Sequence, residues 1–169
     1  MKRLILIRHA KSSWTKPHLA DIDRPLNKRG KRDAPFMAGR LHQMGIEPDL
    51  IYTSPAKRAR KTAKHIAQGV GYPVEKIVRK GDIYTSDINI LMAVIRGAPA
   101  NVTTLFLVGH NYVLTELAEF FTGEVLINVP TAGIVAMHFN CDSWQMVNGG
   151  LADMDFFDYP KKHRQGGTA

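Results

Sequence analysis

Apolar residues in this chain of 169 residues gather in short blocks separated by polar and charged segments. Leu4-Ile5-Leu6-Ile7 is an unbroken apolar run bounded by arginines. A run of that length predicts a strand buried on both faces, over residues 3–8, as in a parallel sheet. Residues 103–108 (TTLFLV) predict a second strand of this kind. DLIYT at 49–53 predicts a third, and residues 74–78 a short fourth. Helical periodicity lies between them. Ile88, Leu91, Met92 and Ile95 mark a helix over 87–96, and Val113, Leu117, Phe120 and Phe121 mark one over 112–122. Residues 9–26 read as a loop. Asn27 is a good N-cap for the helix that follows it. Pro35 then leaves two outcomes: a kink, or a second helix capped by Asp33 with Pro35 in its first turn. That segment ends at Gly45. Ser54-Pro55 signals another helix start, running to about Gln68 and closed by Gly69. Residues 133–139 and 143–147 read as a late strand pair across a turn at Asn140-Cys141-Asp142. The aspartate- and aromatic-rich segment 153–159 reads as a C-terminal arm with its aromatics buried and its aspartates outward.

Strands alternating with helices predict an α/β domain with a mostly parallel sheet. No repeat or Pro/Gly/Ser-rich linker divides the chain, so residues 1–169 read as one domain, with a polar tail at about 161–169 expected to fray. The composition, 44% hydrophobic and 22% charged, is that of an ordinary soluble globular protein. No apolar run reaches the ~18–20 residues of a membrane span, and Leu4–Ile7 is too short for a signal-peptide core. The single cysteine, Cys141, forms no internal disulfide, which fits a cytoplasmic protein. Monomer is the default. A net charge of +8 favours anionic partners.

The chemistry collects where the buried strands end. LILI runs into Arg8-His9, and LFLV runs into Gly109-His110. In open α/β sheets ligands bind beyond the carboxyl ends of the strands, so both histidines belong on one rim. Arg58, in the first turn of the helix after the 49–53 strand, can join them, because helix N-termini favour anions. Each element alone has a structural reading. A strand-end histidine can be a satisfied core residue, and Lys57, Arg58, Arg60, Lys61 and Lys64 together look like a solvated helix face. In combination they suit a phosphoryl group. Arginine binds phosphate bidentately, and a histidine nitrogen can attack phosphorus to form a covalent intermediate. No cofactor or metal is expected: no H-E-x-x-H spacing occurs, and arginines repel a cation. Nucleic-acid binding is disfavoured, since no aromatic residue interleaves the basic stretch at 57–64.

These residues resemble a known family. Arg8-His9-Ala10 is similar to the Arg-His-Gly signature of the histidine phosphatase superfamily, also called phosphoglycerate mutase-like. Ser12 and Trp14 resemble its RHGxSxW extension. Asp23-Arg24-Pro25-Leu26-Asn27 with Gly30 resembles a D-x-P-L-T-x-x-G stretch. Ser54-Pro55, Arg58 and Thr62-Ala63 resemble an SPxxRAxxTA helix, Gly109-His110-Asn111 the second-histidine motif, and Pro130-Thr131-Ala132-Gly133 a late loop. The resemblance implies a three-layer α/β/α sandwich. It makes His9 the nucleophile, with Arg8, Arg58 and His110 holding the phosphoryl group. Ser12, Arg24 and Asn111 become candidate phosphate or substrate contacts, and Thr62 either a support for Arg58 or a core contact.

Two departures matter. Ala10 replaces the usual glycine, so the turn after His9 should keep negative φ. The glutamate that serves mutase-type members as general acid has no clear counterpart; Asp82 is the nearest candidate, or an ordinary loop carboxylate. A weak acid favours a leaving group that needs little protonation, and an imidazole leaving from phosphohistidine is one. The short length, with little left for a lid, points the same way. The resemblance is therefore to the SixA-like phosphohistidine phosphatase branch. The implied partner is a phosphorylated protein, similar to a histidine phosphotransfer domain. The alternatives are a phosphatase of a small phosphorylated metabolite (a small phosphoester), with Asp82 as acid, and a non-catalytic phosphate-binding module. No membrane partner is expected.

Overall fold

The computed structural model describes residues 1–164. Its centre is a six-stranded sheet of β1 (Lys2–Arg8), β2 (Leu50–Thr53), β3 (Val78–Arg79), β4 (Thr104–Gly109), β5 (Ile134–Phe139) and β6 (Ala152–Asp158), in the order β3-β2-β4-β1-β5-β6. The first four positions pair in parallel, and β5 runs antiparallel to both its neighbours. Side-chain alternation divides β1 between two cores. Leu4 and Leu6 face α3 (Ile88–Arg96) and α4 (Val113–Thr122). Ile5 and Ile7 face α1 (Lys28–Gln43) and α2 (Lys57–Val70). β4 divides likewise, Leu105 and Leu107 against Phe106 and Val108. The result is the expected α/β/α sandwich of phosphoglycerate mutase-like form. Among the described residues no helix is long and apolar enough to cross a membrane.

Several elements differ from the sequence reading. Pro35 does not restart the helix: α1 runs on through it, and Asn27 caps α1 by accepting from Gly30 N at 2.9 Å. Asp33 is therefore no cap. It is fully buried and accepts from Arg164 at 2.8 Å. Gly69 does not close α2. It lies inside the helix against Ala38 of α1, where a Cβ would run into the Ala38 methyl. Gly71, at φ 76°, is the actual cap. Residues 74–76 form a 3-10 turn, and only Val78 and Arg79 pair with β2. The partner of β5 is 152–158, the segment read as an arm, because residues 144–146 wind into a 3-10 turn that buries Trp144. Asp158 on β6 is buried, and its phenylalanines are half-buried. Residues Pro160–Arg164 form a short helix, α5, instead of fraying, and Arg164 ties it to α1. The remaining tail residues, 165–169, lie outside the described part.

Candidate active site

Strand register brings the two histidines together. Arg8 on β1 pairs with Gly109 on β4, so the chains leave the sheet at the same level. His9 N donates to Gly109 O at 3.0 Å, and the rings of His9 and His110 sit 5.3 Å apart between centroids. Neighbouring β2 ends one position away, Thr53 pairing with Val108. From there Ser54-Pro55-Ala56 turns the chain into α2, which delivers Arg58. Arg8, His9, Arg58 and His110 all line one cavity of about 710 Å³ that opens to solvent. Ser12, Arg24 and Asn111 line it too.

The surroundings of His9 fix its tautomer. Nδ1 lies 2.8 Å from Ala10 O. A carbonyl oxygen can only accept, so Nδ1 carries the proton and Nε2 keeps its lone pair. Burial, with His110, Arg58 and Arg8 nearby, lowers the His9 pKa to about 3. The ring is thus a free base at neutral pH. Ala10 is fully buried and lies outside the left-handed region, so its methyl is accommodated without strain. Its N–H donates to Thr62 Oγ1 at 2.9 Å, and that hydroxyl donates to Arg58 O at 2.8 Å. Thr62 is therefore more than a core contact: it joins the residue after His9 to the turn of α2 that carries Arg58.

His110 is oriented by Ser54. Its Nε2 lies 2.7 Å from Ser54 Oγ, and Arg58 Nη2 lies 3.5 Å from its Nδ1. Arginine has no lone pair to offer, so Nδ1 takes the acceptor role and Nε2–H donates to Ser54. Burial and Arg58 lower the His110 pKa to about 4. Arg8 donates Nη1 to Val129 O at 3.0 Å, and burial lowers its pKa as well. The Nε atoms of Arg8 and Arg58 are buried without partners.

Asp21 is the residue the sequence reading missed. It sits in a 3-10 turn, Asp21–Asp23, inside the 9–26 loop. Arg58 donates Nη2 to its carboxylate at 2.9 Å and Nη1 to its carbonyl at 2.6 Å. Arg24 Nε donates at 3.2 Å and Tyr84 Oη at 2.5 Å. Led by the Tyr84 hydrogen bond, these donors hold the Asp21 carboxyl well below the usual carboxylate range. Asp23, the acid in the motif, is exposed and takes no part in this network. The available signal was spacing: Asp21 lies one helical turn before Arg24, among cations that need a counter-charge. Arg24 also donates to Ser12 Oγ at 2.8 Å and stacks 3.5 Å over the Trp14 ring.

Two candidates are placed differently from expectation. Asp82 does not line the cavity. Its 3-10 turn, Gly81–Ile83, buries Ile83 in the core and leaves Asp82 in solvent, so Tyr84, Thr85 and Ser86 reach the rim instead. Asn111 lines the cavity, but its amide is engaged elsewhere. Nδ2 donates to Asn128 at 2.7 Å, while Oδ1 accepts from the Thr115 hydroxyl at 2.6 Å and its N–H at 3.3 Å.

Comparison with known proteins agrees with this geometry. Residues 4–81 match the family model of the histidine phosphatase superfamily (branch 1). Over 153 residues the chain is 31% identical to an uncharacterized chloroplastic protein of Arabidopsis thaliana, covering 85% of this chain and 69% of that one. The proposed phosphohistidine phosphatase SixA of Agrobacterium tumefaciens superposes with a TM-score of 0.80 at 27% identity, covering 94% and 98% of the two chains. The fold is also that of the protein histidine phosphatase SixA solved with tungstate, with a TM-score of 0.82 at 17% identity over 95% and 99% of the chains. Motifs, fold and relatives agree: the chain belongs to the histidine phosphatase superfamily.

Proposed function

We propose that the chain is a metal-independent phosphatase that removes phosphate from phosphohistidine on a protein, through a phospho-His9 intermediate. His9 Nε2 attacks phosphorus as the bond from phosphorus to the substrate's imidazole nitrogen breaks, and that nitrogen keeps the electron pair. Water then attacks phospho-His9, releasing phosphate and returning the free imidazole. Arg8, Arg58 and His110 stabilise the equatorial oxygens in both steps, which is where phosphoryl transfer draws most of its catalysis. The proton on His9 Nδ1, held by Ala10 O, keeps the ring oriented while Nε2 carries the phosphoryl group.

One observation carries the choice of substrate: among the described residues no Asp or Glu lines the cavity. Asp21 stands behind Arg58, Arg24 and Tyr84, all of which donate to it, and it is held ionised, so it has no proton to give. A departing alkoxide needs a proton in the transition state, an effect of ~10²–10⁴ in rate. A phosphohistidine protonated on its distal ring nitrogen leaves as neutral imidazole and needs none. The donor set of two guanidiniums and two imidazoles suits an anion and repels a cation. A second reading, a phosphatase of small phosphoesters, has one observation in its favour. Tyr84 Oη is a proton-bearing group at the rim, and its hydrogen bond to Asp21 raises its pKa.

The test is phosphate release from a phosphohistidine-bearing phosphotransfer domain in the presence of chelator, with His9→Ala in parallel. Release by the parent and none by His9→Ala is expected. Turnover of p-nitrophenyl phosphate without release from the phosphoprotein would transfer the assignment to small phosphoesters. Inactivity on both substrates would leave a phosphate-binding module.

A further inference from the structure

Charge is unevenly distributed along this chain. Residues 97–160 contain no lysine or arginine, yet hold seven of the 15 carboxylates. Those residues build α4, β5 and β6. Helix α2, on the opposite face of the sheet, carries Lys57, Arg58, Arg60, Lys61 and Lys64 and no acid at all. Among the described residues Lys31, Lys57, Lys61 and Lys64 make no ion pair within the protein. The four line a cleft of about 510 Å³ with Pro25 and Leu26, and no carboxylate enters it. His65, on the same cleft, has its pKa lowered by partial burial and by Lys64 and Lys61, so the positive potential there is felt by a neighbour.

The cleft adjoins the active site through the backbone. Lys57 immediately precedes Arg58, and Pro25 and Leu26 immediately follow Arg24. Leu26 is bridge-paired to Ser12, which lines the catalytic cavity. Lys57, Lys61 and Lys64 follow the i, i+4, i+7 spacing of one helical stripe, about 10 Å long. That is the length of two turns of a partner helix bearing carboxylates at matching positions. Among the described residues no Phe, Tyr or Trp lines the cleft to supply the stacking platform of a single-strand binder.

We propose that this lysine cleft is the docking surface for an acidic helix of the phosphoprotein substrate, beside the residue whose phosphoryl group enters the cavity. The inference rests on the protein-phosphohistidine reading above. Rim charges of this kind act mainly on association and on its salt dependence. Substrates too small to reach the cleft gain nothing from it.

The experiment compares the parent with Lys61→Glu/Lys64→Glu on two probes, a phosphohistidine-bearing phosphotransfer domain with an acidic face and p-nitrophenyl phosphate, between 25 and 300 mM salt. Expected is an approximately tenfold or greater fall in kcat/KM on the phosphoprotein, carried by KM, with p-nitrophenyl phosphate turnover within twofold. The parent's phosphoprotein rate should fall with salt and the variant's should not. Equal phosphoprotein kinetics and equal salt slopes would overturn the docking surface while leaving the substrate reading intact. No phosphoprotein turnover by the parent would overturn that reading instead. Tight, salt-sensitive binding of a short RNA or DNA lost in the same variant would reassign the cleft to nucleic acid.

Discussion

Thr62→Val isolates one hydroxyl at the junction of the two helical and strand-borne halves of the site. The two side chains have nearly the same shape, so no cavity forms. What is lost is the acceptor for Ala10 N–H, at 2.9 Å, in a place where both residues are fully buried. An orphaned buried donor costs about 1–3 kcal/mol. For a domain of this size each kcal/mol moves the Tm by about 2–4 °C, so a fall of roughly 2–12 °C is expected. The catalytic consequence is separate. Ala10 O is the group that orients His9 Nδ1, and the N–H of the same residue is anchored through Thr62 to the carbonyl of Arg58. Freeing it lets the nucleophile and the arginine move independently, and misplacement by about 1 Å can cost on the order of 10²-fold in rate. Differential scanning fluorimetry with p-nitrophenyl phosphate kinetics measures both effects, and Thr62→Ser, which keeps the hydroxyl, should recover most of each. A variant with parental Tm and kcat would refute the hydrogen-bond argument. A lowered Tm with unchanged kcat would refute the coupling to His9 and leave Thr62 structural.

Asp82→Asn should leave p-nitrophenyl phosphate turnover within twofold, because Asp82 stands in solvent outside the cavity; a large loss would restore it as general acid. Gly69→Ala should destabilise the fold by about 1–3 kcal/mol in urea through overpacking against Ala38, although alanine is the better helix former; a more stable variant would contradict the close α1–α2 contact. His9 and His110 titrate at about 3 and about 4, below the usual 6.5, so from pH 6.5 downward the unfolded chain binds protons that the folded chain refuses. Folding stability should therefore fall with pH over that window, by about 1.4 kcal/mol per unit for each histidine, and His9→Gln should flatten the slope. Urea midpoints at pH 7 and pH 5 that do not differ would overturn the buried-free-base assignment.

The histidine pair was legible in the sequence because its cause is local. An apolar run that must be buried carries whatever follows it to the strand end, and two such runs did so with Arg8-His9 and Gly109-His110. Arg58 followed from the helix start after β2. Asp21 was not legible. Its main partners are Arg58 and Tyr84, 37 and 63 residues away, and the family motif marks Asp23; only the three-residue spacing to Arg24 points to Asp21. Ser54 signals a helix start and fits the SPxxRAxxTA pattern; that it also holds His110, 56 residues on, depends on the β2–β4 register. The late strand failed for a different reason. Residues 143–147 alternate like a strand, but Trp144 is drawn into the core, its Nε1 donating to Val102 O at 2.8 Å, and the turn this forces hands the sheet edge to 152–158.

Asp21 bears on how the cationic site operates. Two buried guanidiniums side by side are costly, and the ionised Asp21 carboxylate supplies a counter-charge to Arg58. Asp21 holds both Nη atoms of Arg58, Nη2 through its carboxylate and Nη1 through its backbone carbonyl. An arriving phosphoryl group brings negative charge of its own to the same arginine, so the hold of Asp21 must loosen as the substrate's tightens. The same arrival reverses the electrostatics at the imidazoles. Their pKa values are low partly because arginines face them, and a bound phosphoryl anion offsets those charges. His9 thus waits as a free base, and His110 becomes easier to protonate only once the oxyanions it would stabilise are in place. On the proposed mechanism, burial keeps the nucleophile a free base, and the cations that hold the phosphoryl group add to that effect.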